Sequence, residues 1–155
     1  MRYPLFLDLT GQPVTVIGAG QVAARKIKTL LKAGATITVI SPKAGRLPKG
    51  IRWIRRTYRR GDLAGARLVV AATDNLLVNE AVCREAKRRR QLVNCSAPPA
   101  AGNFIVPALI HRGGITLAIS TGGASPAFAK RLRCDLECFL AAGYPALLRK
   151  MSKQR

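Results

Sequence analysis

The sequence predicts an α/β fold, with a parallel sheet and its crossover helices over residues 1–110 and a small C-terminal β/α extension over 111–155. Three observations predict it. Gly18-Ala19-Gly20-Gln21-Val22-Ala23 stands between the apolar run Val14 to Ile17 and an amphipathic stretch beginning at Arg25. Short apolar runs then alternate with helical periodicity as far as Cys95, the pattern of parallel strands joined by right-handed crossovers. Beyond Pro98-Pro99 the alternation gives way to two apolar runs and one long helix.

Taken in order, Phe6 to Leu9 is expected as a short strand that enters the first sheet strand, Val14 to Ile17, through the Gly11-Gln12-Pro13 turn. Gln21 to Ala33 is an amphipathic helix stopped by Gly34. Thr36 to Ile40 is wholly β-branched and ends at Ser41-Pro42, and Ile51 to Ile54 is a shorter third strand. Leu68 to Ala72 is a continuous apolar run, as expected of a strand covered on both faces. Leu76 to Arg89 is a second helix, with Leu76, Val78, Ala81, Val82 and Ala86 for its buried side, and Leu92 to Cys95 is a fifth strand. Beyond Pro98-Pro99, Phe104 to Pro107 and Ile115 to Ser120 are expected strands. Ser125 as N-cap and Pro126 in the first turn open a helix over Ala127 to Ala142. The basic tail after Leu148 is expected to fray.

The first strand, turn and helix form a Rossmann-like dinucleotide motif with Ala23 in the last small-residue position. Gly18 permits the tight turn, Gly20 lets a pyrophosphate approach the backbone, and Ala23 keeps the helix close to the strand. The helix then points its free N–H groups, from Gln21 and Val22 onward, at the phosphates. The acid expected about 20 residues further on, to hold a ribose hydroxyl, falls near Ser41, where there is no Asp or Glu. Lys43 and Arg46 follow, a pair that tolerates a 2′-phosphate, so NADP stays beside NAD as an alternative.

Size and charge bound the rest. The chain has 155 residues, 48% of them hydrophobic, enough to bury a core and too apolar for a disordered chain. No apolar stretch reaches the roughly 18 residues of a membrane span, and no signal peptide is read, so a cytoplasmic protein with no membrane partner is expected. Against 27 Lys and Arg stand only 7 Asp and Glu, a formal +20. Such a field draws polyanions, but the basic residues are dispersed and aromatics are only 5%, unlike a single-strand stacking platform. No sequence-specific nucleic-acid binding is expected, although a basic nucleic-acid-binding domain remains an alternative that charge alone does not remove. Cys83, Cys95, Cys134 and Cys138 contain no C-x-x-C pair and are expected as free thiols. Cys134 and Cys138 could share a helix face, but they have no nearby histidine to complete a metal site, and no metal is expected.

Several segments, in this order, resemble the siroheme synthase N-terminal family: Gly18 to Lys26, the turn Ala71-Ala72-Thr73-Asp74-Asn75 with Asn79, the linker Asn103 to Ala108, and the late loop Ala118 to Pro126. The resemblance spans about Leu5 to Leu140. It implies a precorrin-2 dehydrogenase that forms sirohydrochlorin with NAD, as a homodimer paired through the extension. In some members, metal insertion follows. It also implies a polycarboxylate substrate, which gives the basic surface a purpose. The chain is short for the family in its C-terminal helical part.

On this resemblance Gly18, Gly20, Gln21, Val22, Ser41, Thr73, Asp74 and Asn79 are expected at the cofactor. For Asp74 a turn residue or helix N-cap is the plain alternative. Arg112, Thr121, Ser125 and Lys130, with Arg131 beside it, are expected at the substrate; for Ser125, helix capping explains the residue as well. The lone His111 is expected as a surface residue beside a turn. The family's acid–base Asp falls on Ala97 in Asn94-Cys95-Ser96-Ala97-Pro98-Pro99, leaving Ser96 and Cys95 as the candidate catalytic groups and placing metal insertion in doubt. The competing reading is a non-catalytic protein that binds NAD or a tetrapyrrole.

Overall fold

The computed structural model describes residues 2–141 and 143–152 and divides into two compact units. The larger spans Phe6–Ile105. The smaller runs from Val106 onward and includes the residues before Phe6.

In the larger unit, β1 (Pro13–Ile17), β2 (Thr36–Ile40), β3 (Arg52–Ile54), β4 (Leu68–Ala71) and β5 (Leu92–Cys95) form one parallel sheet in the order β3-β2-β1-β4-β5. Helix α1 (Gln21–Lys32) connects β1 to β2, and α2 (Leu76–Arg88) connects β4 to β5. Alternate strand residues feed two cores, because successive side chains leave opposite faces of a strand. Val14, Val16, Ile37, Val39, Leu68 and Val70 pack with Ala23 and Ile27 of α1. Ile17, Ile40, Val69, Ala71, Val93 and Cys95 pack with Val82, Cys83 and Ala86 of α2. The order doubles back at β1 and β4, so the two halves of the sheet part there, and the crevice outside their carboxyl ends is where such sheets bind ligands.

Two expected strands are absent. Phe6 to Leu9 is irregular backbone: Phe6 is exposed, only Leu9 is buried, and no neighbouring strand is there to pair with it. Phe104 to Pro107 is likewise irregular. The free edge of β5 is served instead by Asn103, whose Oδ1 accepts from Val93 N at 2.7 Å and whose Nδ2 donates to Gln91 O at 2.9 Å. One side chain thus does the work of a strand, and Phe104 is released to pack against the α1-side core.

In the smaller unit, β6 (Ala108–Arg112) and β7 (Ile115–Ile119) form an antiparallel hairpin, followed by α3 (Pro126–Ala141) and α4 (Tyr144–Ser152). Gly113 and Gly114, at φ of 54° and 86°, make the hairpin turn. The tail expected to fray is helical through Ser152, with Pro145 in the first turn, where a missing N–H costs nothing. Residues 153–155, and Ala142 at the end of the expected long helix, lie outside the described residues. No helix among the described residues is long and apolar enough to cross a membrane.

Candidate functional site

Hydrogen bonds that continue past the strand ends gather four loops at one edge of the sheet. Gly18 N donates to Ile40 O, Ala72 N to Ile17 O and Ser96 N to Ala71 O, each at 2.9 Å. Gly18 has φ +103°, and a Cβ there would lie 2.3 Å from the Ala72 carbonyl oxygen, so only glycine fits between the first turn and the end of β4. Gly20 differs. It is the N-cap of α1, and a Cβ built on it meets nothing within 4 Å. The space that a side chain would fill lies open over the first helical turn. That turn has no side-chain cap and no acidic residue, so the N–H groups of Gln21, Val22 and Ala23 face outward with the positive end of the helix dipole. A bare glycine beside uncapped donors fits a dinucleotide pyrophosphate.

On one side of the glycine turn Ser41 stands at the end of β2. Its hydroxyl donates to Lys43 O at 2.6 Å, and its carbonyl accepts from Trp53 Nε1 at 3.0 Å. On the other side, Thr73-Asp74-Asn75 leads into α2. Asn75 rather than Asp74 caps that helix, accepting from Val78 N, and Asp74 stands exposed in the turn. Asn79, expected beside the cofactor, is fully buried with its amide spent on the protein. Its Oδ1 accepts from Thr73 N and Oγ1, and its Nδ2 donates to Thr73 O and Ala97 O. It reaches the site only by clamping the loops after β4 and β5 together.

The two candidate catalytic groups separate. Cys95 is 3% exposed and points into the α2-side core, donating to Ala97 O and lying against Cys83. Burial, reinforced by the Cys95 thiol, pushes the Cys83 thiol up to about 12. A thiol among these groups is packing, and the expected catalytic part for Cys95 is withdrawn. Ser96 follows the last residue of β5 and is only partly buried. Its Oγ is buried with no hydrogen-bond partner, an arrangement native proteins seldom leave without purpose.

One feature escaped sequence reading. Lys26 of α1 donates to Asn94 Oδ1 at 2.6 Å, and Asn94 Nδ2 donates to Phe104 O, tying the nucleotide helix to the segment after β5. Burial lowers the Lys26 pKa, and Arg25 adds to the shift. The available signal was a lysine one place before Ile27, on the edge of the buried face.

In the smaller unit, Ser125 N donates to Thr121 Oγ1, and Ser125 Oγ caps α3 by accepting from Phe128 N at 3.1 Å. These two residues are brought together. Arg112 reaches Glu137 O at 3.4 Å, Lys130 is exposed, and Arg131 pairs with Asp135. His111 is exposed on β6 opposite Thr116. Among the described residues, no three His, Cys, Asp or Glu side chains cluster as a metal site would require.

The doubled-back parallel sheet, the glycine turn and the uncapped helix define a dinucleotide-binding protein of the α/β class. A family model described as NAD(P)-binding matches residues 5–108, and a second, for the central part of sirohaem biosynthesis proteins, matches 112–137. The siroheme synthase of Methylobacillus flagellatus is 41% identical over 150 residues, covering 93% of this chain and 32% of that protein. The precorrin-2 dehydrogenase of Bacillus subtilis is 33% identical over 158 residues, covering 98% of this chain and 97% of that one. The solved structure of SirC, a precorrin-2 dehydrogenase, superposes with a TM-score of 0.84 at 34% identity, covering 98% of this chain and 78% of that one. This chain belongs to the NAD(P)-binding family of sirohaem biosynthesis that includes these siroheme synthases and precorrin-2 dehydrogenases. It spans about one third of the length of the siroheme synthases it matches.

Proposed function

We propose that this chain is a precorrin-2 dehydrogenase, oxidising precorrin-2 to sirohydrochlorin with NAD as cofactor. The observation that carries the reading is the open cradle at Gly20, with uncapped donors from Gln21 to Ala23 beneath it and the unpartnered Ser96 hydroxyl at the same edge of the sheet. NAD held there supplies the hydride acceptor. The protein's own work is positional. Gly18 sets the turn, Asn79 fixes Thr73 and the loop after β5, and Ser41 closes the adenosine side. Ser96 is the hydroxyl left free to hold a substrate or nicotinamide polar group, or to pass the departing proton to water.

Arg112, Thr121, Ser125 and Lys130 are assigned to the substrate's carboxylates, with Ser125 also capping α3. The smaller unit pairs with a second copy, which the exposed Phe128, Phe139, Leu147 and Met151 support. The assignment stops at dehydrogenation, because Ala97 presents a methyl group where the family resemblance places an acid, and a methyl group cannot ligate a metal.

The test is anaerobic turnover of precorrin-2 with NAD⁺, followed as NADH and sirohydrochlorin absorbance. Equal rates of both products without metal are expected. Saturable binding of both ligands with no product would replace the enzyme by a non-catalytic binding protein, the reading Ala97 favours.

A further inference from the structure

On the face of the sheet away from α1, the first three strands carry a polar row that neither the nucleotide turn nor the proposed chemistry uses. Val14 and Val16 of β1, and Ile37 and Val39 of β2, pack on the α1 side, so by alternation Thr15 and Thr38 leave on the other face. Register sets Thr15 beside Thr38, and Thr38 beside Arg52, so two threonines and an arginine stand abreast on neighbouring strands. Strands covered on both faces are usually unbroken Val, Ile and Leu runs, as Leu68–Ala71 nearly is. Valine would fill either threonine position with the same branched shape and no hydroxyl to satisfy.

The row is open because the connections on both sides of β3 contain no helix. Leu63 and Ala66 of the second connection pack over Ile17 and Ile40, one step further along the strands. Beside them remains a cavity of about 290 Å³, lined by Thr15, Thr38, Arg52, Ile40, Ile54 and Asp62 among others. It shares no residue with the glycine turn. Thr15 is 7% exposed, and neither threonine hydroxyl has a hydrogen-bond partner among the described residues. Arg52 is exposed and forms no ion pair among the described residues. Asp62, by contrast, is spent: its carboxylate accepts from Arg56 Nη1 and Nη2 and from Arg59 N, each at 2.7 Å.

We propose that this cavity is a second ligand site, for a small aliphatic monocarboxylate. The Thr15 and Thr38 hydroxyls donate to the carboxylate oxygens, the Arg52 guanidinium neutralises them, and Ile40 and Ile54 cover the alkyl part. One unpaired cation matches one negative charge, and the Asp62 carboxylate in the same wall repels a dianion. The volume falls at the lower bound of ligand cavities, about 300 Å³, which suits a molecule of a few carbon atoms. The site stands independently of the dinucleotide and of turnover.

Calorimetric titrations of the whole protein with acetate, butyrate, succinate and inorganic phosphate test the proposal, beside methyl NMR spectra of threonine-labelled protein. Butyrate is expected to saturate one site per chain, to shift the Thr15 and Thr38 methyl resonances, and to bind more tightly than succinate or phosphate. Thr15→Val with Thr38→Val leaves the net charge untouched and is expected to raise the butyrate Kd by about tenfold or more, because hydrogen bonds to a charged group are the strong class. Arg52→Gln, at an exposed position, is expected to weaken butyrate to a similar degree without touching the buried strands. Thermal melting confirms that both variants keep the fold. Absence of saturable butyrate binding would overturn the site. A Kd unmoved by either variant would overturn it too, by assigning the anion to diffuse attraction from a chain of formal charge +20. Tighter binding of succinate or phosphate than of butyrate would overturn the ligand class.

Discussion

Two glycines two residues apart illustrate how the same residue type serves different ends. Gly18 is required by packing: alanine there sets a Cβ against the Ala72 carbonyl and forces a positive φ on a residue that resists it. Gly18→Ala is expected to cost about 1–3 kcal/mol from backbone strain alone, with the clash in addition, visible as a lowered denaturation midpoint. Gly20 has φ −73° and open space around its Cβ direction, so Gly20→Ala folds with unchanged stability and loses dinucleotide affinity. Calorimetric titration beside thermal melting separates the two outcomes, and equal stability loss in both would count against the cradle.

Ser96 offers a complementary test. Its buried Oγ makes no bond, so Ser96→Ala removes an unpaired buried hydroxyl and nothing that holds the fold, and stability is expected to hold or to rise by up to about 1–3 kcal/mol. Turnover with precorrin-2 is expected to fall by about a hundredfold, the low end of what a positioned proton-transfer group supplies. Unchanged turnover would remove Ser96 from the mechanism.

At the level of elements, α2 is anchored by Glu85, which is 3% exposed. Its carboxylate accepts from the Tyr58 hydroxyl at 2.5 Å, from Gly61 N at 3.1 Å and from Arg89 Nε at 2.9 Å. Burial by itself would raise its pKa, but the bonds from Tyr58, Gly61 and Arg89 outweigh burial, and the net shift is downward. Because the folded-state value lies below the unfolded one, this carboxylate stabilises the protein above the unfolded pKa near 4.3. That stability is lost as pH falls through the folded value. Tyr58→Phe is expected to cost about 1–3 kcal/mol at pH 7, the range for a hydrogen bond to a buried charged group. The deficit should shrink below the ordinary glutamate range as Glu85 protonates. Urea denaturation at pH 7 and pH 3 measures both, and a deficit independent of pH would contradict the assignment.

Element boundaries show where sequence patterning sufficed. Thr36–Ile40 and Leu68–Ala71 form where β-branched or apolar runs dictate them, since every residue in such a run has one energetically favoured environment. Phe104 to Pro107 has an equally apolar run, yet it forms no strand, because Asn103 satisfies the edge of β5 through its side chain. Helix α4 was hidden for a related reason. Gly143, at φ +113°, ends one helix and Pro145 begins the next, so a stretch that reads as a tail after a break is a second short helix.

For the molecule as a whole, the formal charge of +20 is the property with the longest reach. A polycarboxylate substrate is steered by that field before any contact forms, and salt screens such steering over a Debye length of about 8 Å near physiological ionic strength. The expected outcome is that kcat/KM for precorrin-2 falls steeply between low and high salt while kcat changes little. Initial rates over an ionic-strength series check it, and a parallel fall in both constants would point instead to salt acting on the bound complex.

The sequence by itself determined the parallel sheet, the glycine turn and the family. Each depends on local periodicity or on residues close together along the chain. Only the tertiary structure separated Ser96 from Cys95, since the packing that buries the Cys95 thiol in the core and leaves the Ser96 hydroxyl without a partner exists only in the folded chain. It alone turned Asn79 from a ligand candidate into a clamp, because its four bonds run to Thr73 and to Ala97, eighteen residues away. The same holds for the pinned turn at Ser41. Its bonds to Ile54 and Trp53 cross from β2 to β3, and a contact between strands far apart in the chain exists only once the sheet has closed.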